Sequence, residues 1–247
     1  MKKFFFVLFS VVLFLSAVFS QQPPDGREII QMMYEKWHGK WPQNMAFEQD
    51  AITYNEDGNV EKEEVWQEII QSPSNLHIRY NGFETGNGMI FARDSVFYFE
   101  NGQHTGSQAI VHYLLLMAFD VYFLEVDETI AKLAALNFDL TKTCTRVIDE
   151  KKHYVIGTDE HLDEKSNHFV IDAENLWLTD MTITRAGVLR KISLKTYEMI
   201  ETYPVATEIY FYADGRLTMY ERYFKITFPK TVNEELFDIK HFKEARW

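Results

Sequence analysis

The chain is poor in cysteine, proline, glycine and positive charge. Of its 247 residues one is cysteine, six are proline and eleven are glycine. A lone cysteine, Cys144, excludes an internal disulfide and a cysteine-based zinc site, and it is most simply a buried, inert thiol. No glycine- or proline-rich linker divides the chain, and no repeat or low-complexity segment is present. Lys and Arg number 25 against 37 Asp and Glu, a formal net charge of −12. That balance argues against a phosphate backbone, so no nucleic-acid partner is expected. Also missing are the G-x-S-x-G elbow, the P-loop, G-x-G-x-x-G and H-E-x-x-H. Gly86-Asn87-Gly88 is only a turn. Nothing requires a cofactor or a metal, and the chain is not expected to be an enzyme.

What is present is large and apolar. Hydrophobic residues make up 46% of the chain and aromatics 15%, with 20 Phe and 13 Tyr. This mix favours strands that bury big side chains. Residues 1–20 read as a signal peptide: Lys2 and Lys3, an apolar run from Phe4 to Phe19, then Val18 and Ser20 at a cleavage site before Gln21. The run is short for a membrane span of ~20 residues. Loss of the two lysines takes the formal net charge from −12 to −14. An exported, acidic, soluble protein of a bacterial periplasm is expected, with 21–247 as one domain.

A first helix follows Asp25, a residue type that caps helices, with Ile29, Ile30, Met33 and Trp37 on one face and a stop near His38-Gly39. Strands are expected over 45–54, 62–71, 75–81, 88–93 and 95–100. In the third, Leu76, Ile78 and Tyr80 alternate with His77 and Arg79, which reads as one face buried and one wet. Gln108 to Leu124 is nearly all apolar and reads as a buried helix of about 17 residues. A second helix is expected over 127–136, capped by Asp127. Strands return over 141–149, 152–158, 167–171, 176–184, 188–200, 205–213 and 216–228. Asp57-Gly58 and Asp214-Gly215 mark tight hairpin turns, and Asn233 to Phe237 a short terminal helix. The fold class is mainly β (α+β): a curved antiparallel sheet of about 11–12 strands with helices filling or covering its concave face.

Four groups of residues are candidates for chemistry. His153, Asp159, Glu160, His161, Asp163 and Glu164 have metal-binding side chains, but a solvated hairpin loop accounts for such an unspaced charge run. His104, Ser107 and Asp120 contain the elements of a hydrolytic triad, without a spacing that supports one. His112, inside the most apolar segment, is a general base, a polar contact for a ligand head group or a satisfied core histidine. The stripe of Tyr113, Leu114, Leu115, Leu116, Met117, Phe119, Tyr122 and Phe123 is either plain core or the lining of an acyl-chain cavity. Phe91, Phe97, Phe99, Tyr210, Tyr212 and Phe224 are candidates for the opposite wall, with the strand register left open.

Several stretches are similar to LolA-like outer-membrane lipoprotein-sorting proteins. They are Trp66-Gln67-Glu68-Ile69-Ile70 with Pro73, Gly88-Met89-Ile90-Phe91, Leu114-Leu115-Leu116 leading to Phe119-Asp120-Val121-Tyr122, and Thr129-Ile130-Ala131-Lys132-Leu133. Phe138-Asp139-Leu140, Phe169-Val170-Ile171-Asp172 and Glu235-Leu236-Phe237-Asp238 complete the set. The resemblance implies an unclosed β-barrel with helices in its hollow. It implies a hydrophobic ligand such as the acyl chains of a lipid or lipoprotein; the residues expected to hold it, Leu115, Leu116, Phe119, Tyr122 and strand aromatics, come from the apolar stripe and the strands rather than from the resemblance. Arg79 and Arg93 are both open as the arginine of the carriers' lid. A non-catalytic envelope sensor or scaffold with a protein partner is the alternative, and an acyl hydrolase or metal enzyme a third.

Overall fold

The structure is a computed structural model that describes residues 23–159, 163 and 165–247. The expected leader, 1–20, lies outside the described residues, as do Glu160, His161 and Glu164. Thirteen strands form one antiparallel sheet: β1 (Asn44–Tyr54), β2 (Val60–Gln71), β3 (Asn75–Tyr80), β4 (Gly88–Ala92), β5 (Ser95–Glu100), β6 (Gln103–Ala109), β7 (Thr143–Ile148), β8 (Lys151–Ile156), β9 (His168–Asp172), β10 (Leu178–Arg185), β11 (Val188–Ile200), β12 (Tyr203–Ala213) and β13 (Arg216–Thr227). The spatial order is β6-β5-β4-β3-β2-β1-β13-β12-β11-β10-β9-β8-β7. The edges β6 and β7 do not pair, so the sheet curls without closing.

Local chemistry sets many of the boundaries. Asp25 and Glu28 make a reciprocal capping box that starts α1 (Gly26–Trp37), and His38 is its C-cap. Asp214 and Gly215 both have positive φ, as a two-residue hairpin turn needs, and they join β12 to β13. Gly88 sits at φ 156°, where a Cβ would come within 2.0 Å of the Ile78 carbonyl oxygen. Only glycine lets β4 approach β3 there.

The segment 108–124 does not form one helix. Gln108 and Ala109 end β6, α2 is only Tyr113–Ala118, and a 3₁₀ turn covers Asp120–Tyr122. His112 stops the helix from extending backwards: its backbone is extended and its Nδ1 accepts the Leu115 N–H at 3.0 Å. At the other end Phe119 leaves helical geometry (φ −136°, ψ −62°). The Asp120 carboxylate is then drawn to the Ser74 N–H at 3.0 Å, away from its own helix. α3 (Val126–Ala135) follows, preceded by Glu125; Asp127 does not cap it but pairs with Arg27 of α1 at 2.6 Å. None of the described helices is long and apolar enough to cross a membrane.

Two layers of packing use the two faces of the sheet. On the concave face, α1, α2 and α3 fill the half of the trough built by β8 to β12. Ile29, Ile30, Met33, Leu116, Met117, Tyr122 and Leu133 meet Phe169, Ile171, Leu178, Met181 and Ile192 in the main core. On the convex face, the chain after β13 turns back and straps across β2 to β5. Leu236, Phe237, Phe242 and Ala245 bury Ile69, Ile90 and Phe99. This strap corrects the reading of β3 as wet on one face, because His77 and Arg79 are fully buried beneath it. His77 Nδ1 must carry a proton, since it donates to the Leu236 carbonyl at 2.6 Å; burial lowers its pKa to about 3. The Arg79 guanidinium donates to the carbonyls of Phe242 and Phe83 and lies 4.1 Å from the Phe242 ring. Cys144 is buried in a small cluster with Val155 and Val170.

Candidate functional site

Where the helices leave the trough unfilled, a cavity of about 530 Å³ remains. Its walls come from three directions. α2 and the chain before it supply Ile110, His112, Leu115 and Phe119; β2 to β5 supply Trp66, Ile70, Leu76, Ile78, Met89, Phe91 and Tyr98; β11 to β13 supply Ile192, Phe211, Met219 and Tyr223. Strand alternation explains the choice. Met89 and Phe91 are two residues apart on β4 and share a face, while Ile90 between them faces the strap. Size and lining match a site for an apolar ligand.

The sequence candidates separate on this geometry. Phe91, Leu115, Phe119 and His112 meet around the cavity. Leu116 and Tyr122 are packed in the main core instead; Tyr122 lies 4.1 Å from the Trp41 ring and donates its hydroxyl to the Leu176 carbonyl. Phe97 and Phe99 point to the convex face, where Phe99 stacks on Phe242 at 3.8 Å and Phe97 packs against the same cluster. Tyr98, their neighbour, faces the cavity. On β12 the same parity rule applies: Phe211 lines the cavity, whereas Tyr210 pairs outward with Tyr220 at 4.9 Å and Tyr212 shares that side. Phe224 lies outward too, beside Glu208 and Arg222. The convex-side aromatics were indistinguishable from the concave ones because a one-residue change of register exchanges the two sets.

The polar candidates take structural positions. His112 caps α2 through Nδ1 and meets the Phe91 ring edge-on at 4.4 Å; burial lowers its pKa to about 4, so the ring is neutral at neutral pH. Asp120 is buried on Ser74, while His104 and Ser107 are exposed on β6, so no triad is assembled. His153 is buried, and its Nδ1 contacts the Lys151 carbonyl. Among the described residues no group of three His, Cys, Asp or Glu side chains could hold a metal ion. Arg79 is locked under the strap, on the face of the sheet away from the cavity, and Arg93 lies in the tight turn between β4 and β5.

Two residues that the sequence reading passed over lie in the cavity wall. Glu68 of β2 and Glu221 of β13 both line it and are 5% and 7% exposed. Their signal was present, since each acid has apolar or aromatic residues two positions to either side, Trp66 and Ile70 for Glu68, Met219 and Tyr223 for Glu221. Burial, and repulsion from Glu221, hold the Glu68 carboxyl well above the ordinary carboxylate range; burial raises Glu221 to about 7.

The fold has solved counterparts. A DUF1329-family protein from Desulfovibrio piger superposes with a TM-score of 0.58 at 10% identity, over 88% of this chain and 97% of that one. A LolA-superfamily protein from Nitrosomonas europaea gives 0.54 at 11% identity, over 87% of this chain and 98% of that one. The open thirteen-stranded sheet with helices in its hollow is therefore a LolA-like fold. By sequence, no protein-family model and no curated protein matches the chain.

Proposed function

We propose that this protein is an exported, non-catalytic carrier that takes the acyl chains of a lipid or lipoprotein into the cavity between α2 and the concave sheet. The observation that carries this reading is the cavity itself: about 530 Å³ in the hollow of the sheet, with mostly aliphatic and aromatic walls. Burial there stabilises each methylene by ~0.8 kcal/mol, so a chain of ordinary length outweighs the cost of confining it. The periplasm is the proposed location, with transfer toward the outer membrane as the destination of the cargo. The LolA-like fold and the apolar leader at residues 1–20 support both parts. The acidic surface favours a free, soluble carrier over one bound to anionic membranes.

Native mass spectrometry of the chain from Gln21 onward, purified gently from a bacterial periplasm, tests the reading. Lipid extraction of the same sample identifies what is bound. A phospholipid, fatty acid or acylated peptide at near-stoichiometric occupancy supports the carrier. A clean apo mass that lipids do not change removes it.

A further inference from the structure

The cavity wall contains two buried carboxyls that have no charged partner among the described residues. Glu68 and Glu221 stand on strands separated by β1. At the centre of β1, Gln49 pairs in register with Trp66 on one side and Tyr223 on the other. Gln49 is fully buried behind the wall with its amide turned to Glu221, and neither its Nε2 nor its Oε1 reaches a partner in good hydrogen-bond geometry. Ala51, in register with Glu221, offers that carboxyl only a methyl group. Glu221 accepts a long 3.3 Å hydrogen bond from the Tyr223 hydroxyl. Glu68 accepts none from a described residue, and neither acid forms an ion pair among the described residues. Arg185 and Arg190 also line the cavity, but they belong to the β10–β11 hairpin and reach neither acid.

Two carboxyls facing one apolar cavity repel each other and lose their hydration. A shared proton or a bound cation relieves both costs. Beside the two acids only the Gln49 amide N–H and the Tyr223 hydroxyl can donate, and no cationic side chain reaches them. Three acceptors, the two carboxyls and the Gln49 Oε1, match the three N–H donors of a primary ammonium.

We infer that the cavity is built for a lipophilic amine: an apolar molecule whose protonated nitrogen sits at Glu68, Glu221 and Gln49 while its chain lies along Ile70, Ile78, Phe91 and Phe119. This rests on the reading of the cavity as a lipid site and names the chemistry of its ligand. A chain with a carboxylate head faces the reverse situation, repelled from the acid pair and attracted to Arg185 and Arg190.

The test compares dodecylamine, dodecanol and laurate, each below its micellar concentration, by calorimetry on the chain from Gln21 onward at neutral pH. The amine is expected to bind about tenfold or more tighter than the alcohol or the acid, the yield of a charge-assisted hydrogen bond. In a Glu68→Gln, Glu221→Gln double variant that preference disappears while dodecanol binding is unchanged. Both glutamines keep the shape and remove buried charge, so the variant is expected to fold at least as well; intact dodecanol binding verifies it. Equal affinity for amine and alcohol, tightest binding of laurate, or an amine preference that survives in the double variant overturns the inference and leaves the carrier reading standing. Binding of none of the three by the wild-type chain overturns both.

Discussion

Asp120 links the helical cover of the cavity to the sheet, and its protonation should be readable as stability. The residue is 4% exposed, in the 3₁₀ turn after α2, and its carboxylate accepts the Ser74 N–H from the β2–β3 connection. Burial raises its pKa from 3.8 to about 7, despite that hydrogen bond, which favours the ionised form. The folded pKa lies above the unfolded one. The group therefore contributes its full stability below the unfolded value and loses it as pH rises through the folded value. Relative to acid pH the group's contribution falls by about 2 kcal/mol at pH 5, where only the unfolded chain ionises, and by about 4 kcal/mol at pH 8, where the folded carboxyl has itself ionised. Asp120→Asn removes the titration and keeps an oxygen to accept from Ser74. Urea unfolding of wild type and variant at both pH values isolates the effect, because every other titrating group is common to the pair. The stability difference should shift in favour of the variant by about 2–3 kcal/mol from pH 5 to pH 8. A difference that does not change with pH, or that favours the variant more at acid pH, would refute the assignment.

Phe242→Ala should destabilise the protein by about 3–5 kcal/mol in the same assay, since the ring is 1% exposed and packs on Phe99 and the Arg79 guanidinium. A loss under about 1 kcal/mol would mean that the strap is not docked in solution. Gly88→Ala should lower the melting temperature markedly, at a cost on the order of 2–4 kcal/mol, because its Cβ meets the Ile78 carbonyl oxygen; an unchanged melt would show that β4 can move away from β3. Met89→Trp places a large ring in the cavity from β4. It should weaken binding of an alkyl ligand by about tenfold or more with the fold intact by circular dichroism, and unaltered binding would place the ligand elsewhere. His112→Ala should cost about 1 kcal/mol through loss of the α2 cap, and a cost near zero would contradict that cap.

The sequence by itself determined what local chemistry decides. Asp25 as a cap and the apolar face after it announced α1, Asp214-Gly215 announced its hairpin, and the strand expected over 188–200 is β11. These features depend on a few adjacent residues and on side-chain period, both visible in one dimension. β6 was not visible, because its exposed Gln103–Ala109 sequence carries no apolar alternation and pairing with β5 alone makes it a strand. The segment 108–124 broke because His112 and Asp120 found backbone partners, one within its own turn and the other at Ser74. Tertiary structure decided the rest. The strap that returns from β13 put His77 and Arg79 in a core, and the register of β5 and β12 sent Phe99 and Tyr210 outward while Tyr98 and Phe211 turned in. The acid pair is the sharpest case. Glu68 and Glu221 are 153 positions apart in the sequence, and only the curl that brings β2, β1 and β13 side by side places both carboxyls on one cavity wall.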